Sequence, residues 1–290
     1  MISCTVCASH APGMERDVAG TQGKQFRRGL DAARDVIDAF GPDLVVLFGG
    51  DHRRAFAQVT PAFALVRGAT LVPEGTIPGG PLDIPEDIVD DLAEALLADD
   101  FDIAMCRGIS LDHAFGQPLH RLLTHPASTR VVPIVMNCAS PPLPKAERVI
   151  KFGVRVGAFF AARTERVLFI GTGGLSHNPP TLVGDRHDLT EFERRELREA
   201  GLEEASKLIK PGWDRRFLDA IERWDVDKLT LMTDGATAEA GVGANEVRTW
   251  LAATAAGATQ GLRTLVYEPV AEWITGMAVA TGASPTPQAG

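Results

Sequence analysis

The chain has 290 residues, 45% of them apolar and 23% charged, which is ordinary for a globular protein and enough for one sizeable core. Its net charge of −9 argues against nucleic acid or an anionic membrane as a main partner, while a small anionic ligand would need only a local cation. Apolar runs such as VVLF (45–48) are far too short to span a bilayer, and MISCTVCASHAPGMERD lacks a leader's basic and apolar regions, so a cytoplasmic location is expected.

ISCTVCA (2–8) is short, apolar and β-compatible, and a polar SHAPG turn follows it. In FRRGLDAARDVIDAF (26–40), Phe26, Leu30, Ala33, Ile37 and Phe40 recur on one helical face, and Gly41-Pro42 stops the helix. DLVVLFGG (43–50) reads as a buried strand running into Asp51-His52. An amphipathic helix over 86–99, a strand over 101–108 and a strong strand over 129–137 follow. The segment 147–163 has helical spacing, and RVLFIGTGG (166–174) is the next strand. The charged segment 184–210 reads as exposed helix. NEVRTWLAATAA (245–256) places Val247, Trp250, Leu251 and Ala255 on one helical face, with Asn245 as N-cap. TGASPTPQAG (281–290) is poor in apolar residues and is expected to be a disordered tail. The alternation of strands and helices argues for an α/β fold in a single domain over 1–280. The arrangement expected is a sandwich with a central mixed sheet flanked by helices and a site at the strand C-terminal ends.

Four cysteines, Cys4, Cys7, Cys106 and Cys138, are scattered; one CxxC without a second does not make a zinc set, and buried free thiols are expected. The histidines are more telling. Ser9-His10, Asp51-His52, Asp112-His113 and Ser176-His177 each follow a short apolar strand and a turn. Strand ends of α/β folds converge on one sheet edge, where ligands bind, and imidazole serves both as metal ligand and as acid or base near neutral pH. His120, His125 and His187 lack this setting. No HExxH, GxSxG, phosphate-loop or GxGxxG spacing suggests a competing site, and GTGG (171–174) is not followed by GK[ST].

CASHAP (7–12), FGGDHRRAF (48–56), SLDHAFGQPL (110–119) and GTGGLSHNPP (171–180) together resemble the class III extradiol ring-cleaving dioxygenases, the superfamily of the protocatechuate 4,5-dioxygenase catalytic subunit. MNCASPPLP (136–144), NEVRTWLAA (245–253) and PVAEWITG (269–276) extend the likeness over nearly the whole chain. The resemblance implies Fe(II) held by His10, His52 and Glu246, the last ranked ahead of Asp234, Glu239 and Glu268. It implies His177 as catalytic base and His113 as proton donor. The activity it implies is extradiol cleavage of a 3-substituted catechol, such as 2,3-dihydroxyphenylpropionate or 2,3-dihydroxycinnamate, with insertion of both atoms of O2. The alternatives are another catechol, an aminophenol, or a non-dioxygenase metal-binding or hydrolase relative. A homo-oligomer is also implied, to which Trp250 or EWITGMAVA (272–280) could contribute. Arg53-Arg54 and Arg107-Gly108 depart from the family's pattern, and Arg53, Arg54 and Arg107 are the candidates for binding a substrate carboxylate. Asp51 and Ser9 are the sequence neighbours that could orient the ligand imidazoles.

Overall fold

The computed structural model describes residues 3–283. Its strands are β1 (Ser3–Ala8), β2 (Leu44–Gly50), β3 (Phe63–Val66), β4 (Ala69–Leu71), β5 (Gly80–Pro81), β6 (Ala104–Cys106), β7 (Ile109–Leu111), β8 (Val131–Met136), β9 (Val167–Thr172), β10 (Arg263–Val270) and β11 (Thr275–Ala283). Its α-helices are α1 (Pro12–Arg16), α2 (Lys24–Phe40), α3 (Glu86–Ala98), α4 (His113–Leu122), α5 (Ala146–Ala161), α6 (Glu191–Ser206), α7 (Pro211–Glu222), α8 (Val226–Asp234), α9 (Ala236–Ala240) and α10 (Val247–Ala256).

An eight-stranded mixed sheet in the order β10-β11-β1-β9-β2-β8-β3-β6 forms the centre, and β5-β4-β7 make a small second sheet. The central strands are apolar throughout because both their faces are covered. Leu44, Val46 and Phe48 of β2 point into one core with α3, α5, α7 and α10, while Val45 and Leu47 point into the other with α2 and α4. The period-2 alternation of side chains assigns Cys4 and Cys7 of β1 to opposite cores, so the CxxC pair cannot share a ligand. None of the four cysteines is bonded to another. Strands β1, β9 and β2 are parallel neighbours, so their C-terminal ends, which carry three of the four singled-out histidines, open on one edge.

Several expectations change. The strand expected over 101–108 is shorter: β6 covers Ala104–Cys106 in the large sheet, the chain turns at Arg107-Gly108, and β7 follows in the small sheet. Asn245 is not an N-cap; its amide donates to Thr237 Oγ1 (2.7 Å) and the Val242 carbonyl (2.9 Å). The expected tail begins too early, because Thr281–Ala283 complete β11 against β1. Residues 284–290 lie outside the described residues. Trp250 is fully buried, and of the segment 272–280 Thr275–Ala280 are buried within β11 while Glu272 is exposed and Ile274 half-buried. Among the described residues no helix is long and apolar enough to cross a membrane.

Candidate metal centre

His10 follows β1, His52 follows β2, and Glu246 ends the 3-10 turn Val242–Glu246 that enters α10. Residues far apart in sequence thus meet at the sheet edge. His10 Nε2 and His52 Nε2 lie 3.4 Å apart, His52 Nε2 is 2.9 Å from Glu246 Oε1, and His10 Nε2 is 3.7 Å from the same oxygen.

The outward atom of each of the three is already engaged. The His10 Nδ1–H donates to Thr172 Oγ1 at 2.7 Å, and the His52 Nδ1–H donates to Asp112 Oδ2 at 2.8 Å. The backbone N–H of Gly174 donates to Glu246 Oε2 at 2.7 Å. These contacts fix both imidazoles with Nε2 directed inward and leave Oε1 of the carboxylate beside them. Two neutral imidazole nitrogens and one carboxylate oxygen on one side of a point match the donor set of a 2-His-1-carboxylate metal site.

The end of β9 is shaped to this purpose. Gly173 has φ +142°, and a Cβ there would strike the side chain of Glu246. Trp250 Nε1 donates to the Gly173 carbonyl (3.1 Å) and Thr249 Oγ1 to the Thr172 carbonyl (2.5 Å), tying the start of α10 to the strand end.

Electrostatics follow from the packing. Burial lowers His10 from its ordinary value. Burial also disfavours the charged form of His52, but Asp112 and then Glu246 outweigh it and raise His52 well above the ordinary histidine value. Burial opposes ionisation of Glu246 and of Asp112, yet the adjacent imidazoles hold both carboxyls well below the usual range.

His113 and His177 stand at the same centre. The His113 ring stacks on that of His52, with centroids 4.4 Å apart and planes 16° from parallel, and its Nδ1–H donates to Glu74 Oε2 at 3.0 Å. A nitrogen of each of His10, His52 and His113 lies within 4.8 Å of the others, so a three-histidine grouping is geometrically open. The His177 Nδ1–H donates to the Leu175 carbonyl at 2.8 Å, and His177 Nε2 lies 3.7 Å from Glu246 Oε2. A neutral His177 held this way carries its lone pair on Nε2. Buried Asp214 braces this loop, accepting from Ser176 N and Ser176 Oγ (both 2.8 Å) and from Tyr267 OH (2.7 Å).

The other sequence candidates sort clearly. Asp51 does not orient His52; it accepts from the backbone N–H groups of Arg54, Ala55 and Phe56. Ser9 does not touch His10; it bonds the backbone of Gly276 and Ala278. Arg53 is turned away by its left-handed backbone (φ 56°) and is buried, donating to the carbonyls of Ala139, Gly184 and Arg186. Arg107 is exposed on the β6–β7 turn, outside the cavity that the four histidines line. Arg54 does line that cavity, but pairs with Glu191 (2.5 Å) and lies 3.7 Å from Asp112. The rival carboxylates lie elsewhere: Asp234 accepts from Ala146 N, Glu268 accepts from Phe26 N, and Glu239 is exposed on α9.

Three contributors escaped the sequence reading. Thr172 lies inside the GTGG stretch but nothing there marks it as an imidazole partner, and Glu74 lies in no motif; both matter only through the atoms they meet. The charged segment 184–210 is not simply exposed helix. Arg194, Arg198 and Leu202 recur every four residues on α6, and that face walls the cavity. Its Arg194 donates to the carbonyls of His52 and Arg53.

Comparison with known proteins bears on this arrangement. Residues 4–278 match the model of the family described as the catalytic LigB subunit of aromatic ring-opening dioxygenase. The chain is similar to a 2,3-dihydroxyphenylpropionate/2,3-dihydroxicinnamic acid 1,2-dioxygenase of Photorhabdus laumondii, at 33% identity over 98% of each chain. It is similar to proteins of the same name from Mycolicibacterium gilvum, at 34% identity over 95% of this chain and 96% of that one, and from Rhodococcus rhodochrous, at 34% over 97% and 98%. A crystal structure of an uncharacterized Escherichia coli K12 protein shares the fold, with TM-score 0.55 and 13% identity over 96% of this chain and 98% of that one.

Proposed function

The chain belongs to the LigB family of aromatic ring-opening dioxygenases, and on that footing we propose that it cleaves a 3-substituted catechol beside its hydroxyls, inserting both atoms of O2. The substrates that fit are 2,3-dihydroxyphenylpropionate and 2,3-dihydroxycinnamate, for which the relatives at 32–34% identity are named. His10, His52 and Glu246 are the proposed ligands of Fe(II). The observation that carries this reading is the inward convergence of His10 Nε2, His52 Nε2 and Glu246 Oε1, each with its outer atom held by another group.

An Fe(II) held by His10, His52 and Glu246 would bring a catechol and O2 together and let electrons pass between them. The remaining work falls to side chains. His177, with its lone pair on Nε2, takes a proton from a substrate hydroxyl as the catechol binds. His113 supplies a proton through Nε2 to the oxygen that departs when the O–O bond breaks, and Glu74 at its Nδ1 fixes the ring's orientation. Burial opposes ionisation of Glu74, but the hydrogen bond and the charge of His113 together hold it below its ordinary value. Pro179, Pro180 and Trp273 line the same cavity and keep water from the ring.

A second reading rests on the three-histidine grouping: His113 replaces Glu246 as ligand. The carboxylate speaks for the first reading: Glu246 Oε1 lies 2.9 Å from His52 Nε2 while its other oxygen is held by the Gly174 N–H. Anaerobic Fe(II) reconstitution followed by oxygen-electrode assays on substituted catechols tests the function. Uptake of one O2 per catechol with a yellow ring-opened product is expected; no uptake with any catechol sinks it.

A further inference from the structure

Beyond the reacting end, the cavity holds an electrostatic asymmetry. Arg16, the last residue of α1, and Arg198, on α6, both face it. Among the described residues neither forms an ion pair or side-chain hydrogen bond. The cavity's other arginines are occupied, Arg54 by Glu191 and Arg194 by backbone carbonyls. The two carboxylates that line it, Glu74 and Glu272, form no ion pair with either arginine, and Glu74 is bonded to His113. The two guanidinium groups are near enough that, after burial, the charge of Arg198 is the main influence lowering Arg16 from its ordinary value. Glu74 acts on Arg16 only at a distance, without an ion pair, so the repulsion between the two like charges is relieved chiefly when a ligand brings negative charge to them.

We propose that Arg16 and Arg198 clamp a carboxylate at the end of the catechol's side chain, making this chain selective for catechols whose 3-substituent is anionic. The proposal rests on the ring-cleavage reading for the identity of the ring, but not for the clamp. The planar guanidinium fork suits a carboxylate through paired, charge-assisted hydrogen bonds. An alkyl side chain would leave both cations unpaired, so the preference arises from what the cavity lacks as much as from what it offers.

The test compares kcat/KM for 2,3-dihydroxyphenylpropionate and 3-propylcatechol in the Fe(II)-loaded wild type, Arg16→Gln and Arg198→Gln. Each substitution is expected to reduce the acid-over-alkyl ratio at least about tenfold, mainly through KM for the acid. A ratio unchanged in both variants overturns the clamp. If the wild type cleaves neither catechol, the ring-cleavage reading fails separately. Calorimetric binding of 3-phenylpropionate, which has the carboxylate but no hydroxyls to chelate, then decides the clamp. Weaker binding in the variants supports it, and binding equal to wild type, or none by the wild type, overturns it.

Discussion

The tasks proposed for His177 and His113 rest on different supports: a backbone carbonyl holds Nδ1 of His177 and the Glu74 carboxylate holds Nδ1 of His113, leaving Nε2 of each as the atom proposed to exchange a proton. His177→Phe and His113→Phe are therefore expected to keep bound iron and lose about 10²–10⁴-fold in kcat, while His10→Ala loses the iron itself. Metal analysis beside single-turnover rates checks this, and loss of iron from His113→Phe would favour the three-histidine reading. His52 carries a second consequence. Its value is raised, so in the metal-free protein its stabilising contribution is complete below about 6.5 and disappears as pH rises through the folded-state value. A metal must displace that proton, so affinity for Fe(II) is expected to weaken by up to about tenfold per pH unit on acidification below the raised value. Titrations at pH 6, 7 and 8 that give one constant would contradict it. The four histidines were legible because strand-turn-His recurs, and the resemblance marked Glu246. Their orienting partners were not: Asp112 and Thr172 act across chain separations of 60 and 162 residues, while the adjacent Asp51 and Ser9 serve the backbone.

Elements bring these side chains to their places through shared residues. Asp112 caps α4, accepting from Ala114 N (3.0 Å) with one oxygen while the other accepts from His52. Asp112→Asn is expected to cost about 1 kcal/mol at most as a cap, since asparagine also caps well, but to weaken metal binding about 10–100-fold through loss of the charge behind His52. Denaturant unfolding measured beside metal titration separates the two effects; equal metal affinity would refute the orienting role. Gly243, in the turn before Glu246, is a point of close approach: a Cβ there would collide with the His177 imidazole. Gly243→Ala is expected to displace that ring and lower kcat with smaller change in Tm. Helix α6 shows where reading by composition stops. Its acidic and basic residues announce solvent on every side, and only packing discloses that Arg194, Arg198 and Leu202 form the face that walls the cavity. Similarly, 101–108 has the apolar content of a single strand, but only Ala104–Cys106 pair in the large sheet and the chain beyond Arg107-Gly108 joins the small one, a choice made by tertiary partners.

At the scale of the whole molecule, the α/β class was legible because the central strands are apolar on both faces and alternate with amphipathic helices. The edge strand β10 and its neighbour β11 were not, since the pairing of β11 with β1 joins the chain's two ends and leaves no local signature. That closure matters to the site: an isolated β-bridge links His177 to Thr275, so the last strand supports the catalytic loop as well as the sheet. Fe(II) joining ligands from β1, β2 and α10 would bind the folded chain and not the unfolded one. At about a hundred times its Kd it should add about 2.7 kcal/mol, a rise of several degrees in Tm measured anaerobically, absent in His10→Ala. The most direct measurement is anomalous diffraction at the iron edge from crystals loaded with Fe(II) under anaerobic conditions. One iron peak within about 2.0–2.2 Å of His10 Nε2, His52 Nε2 and Glu246 Oε1 is the expected result. Iron bound elsewhere, or ligated by His113 with Glu246 left free, would contradict it.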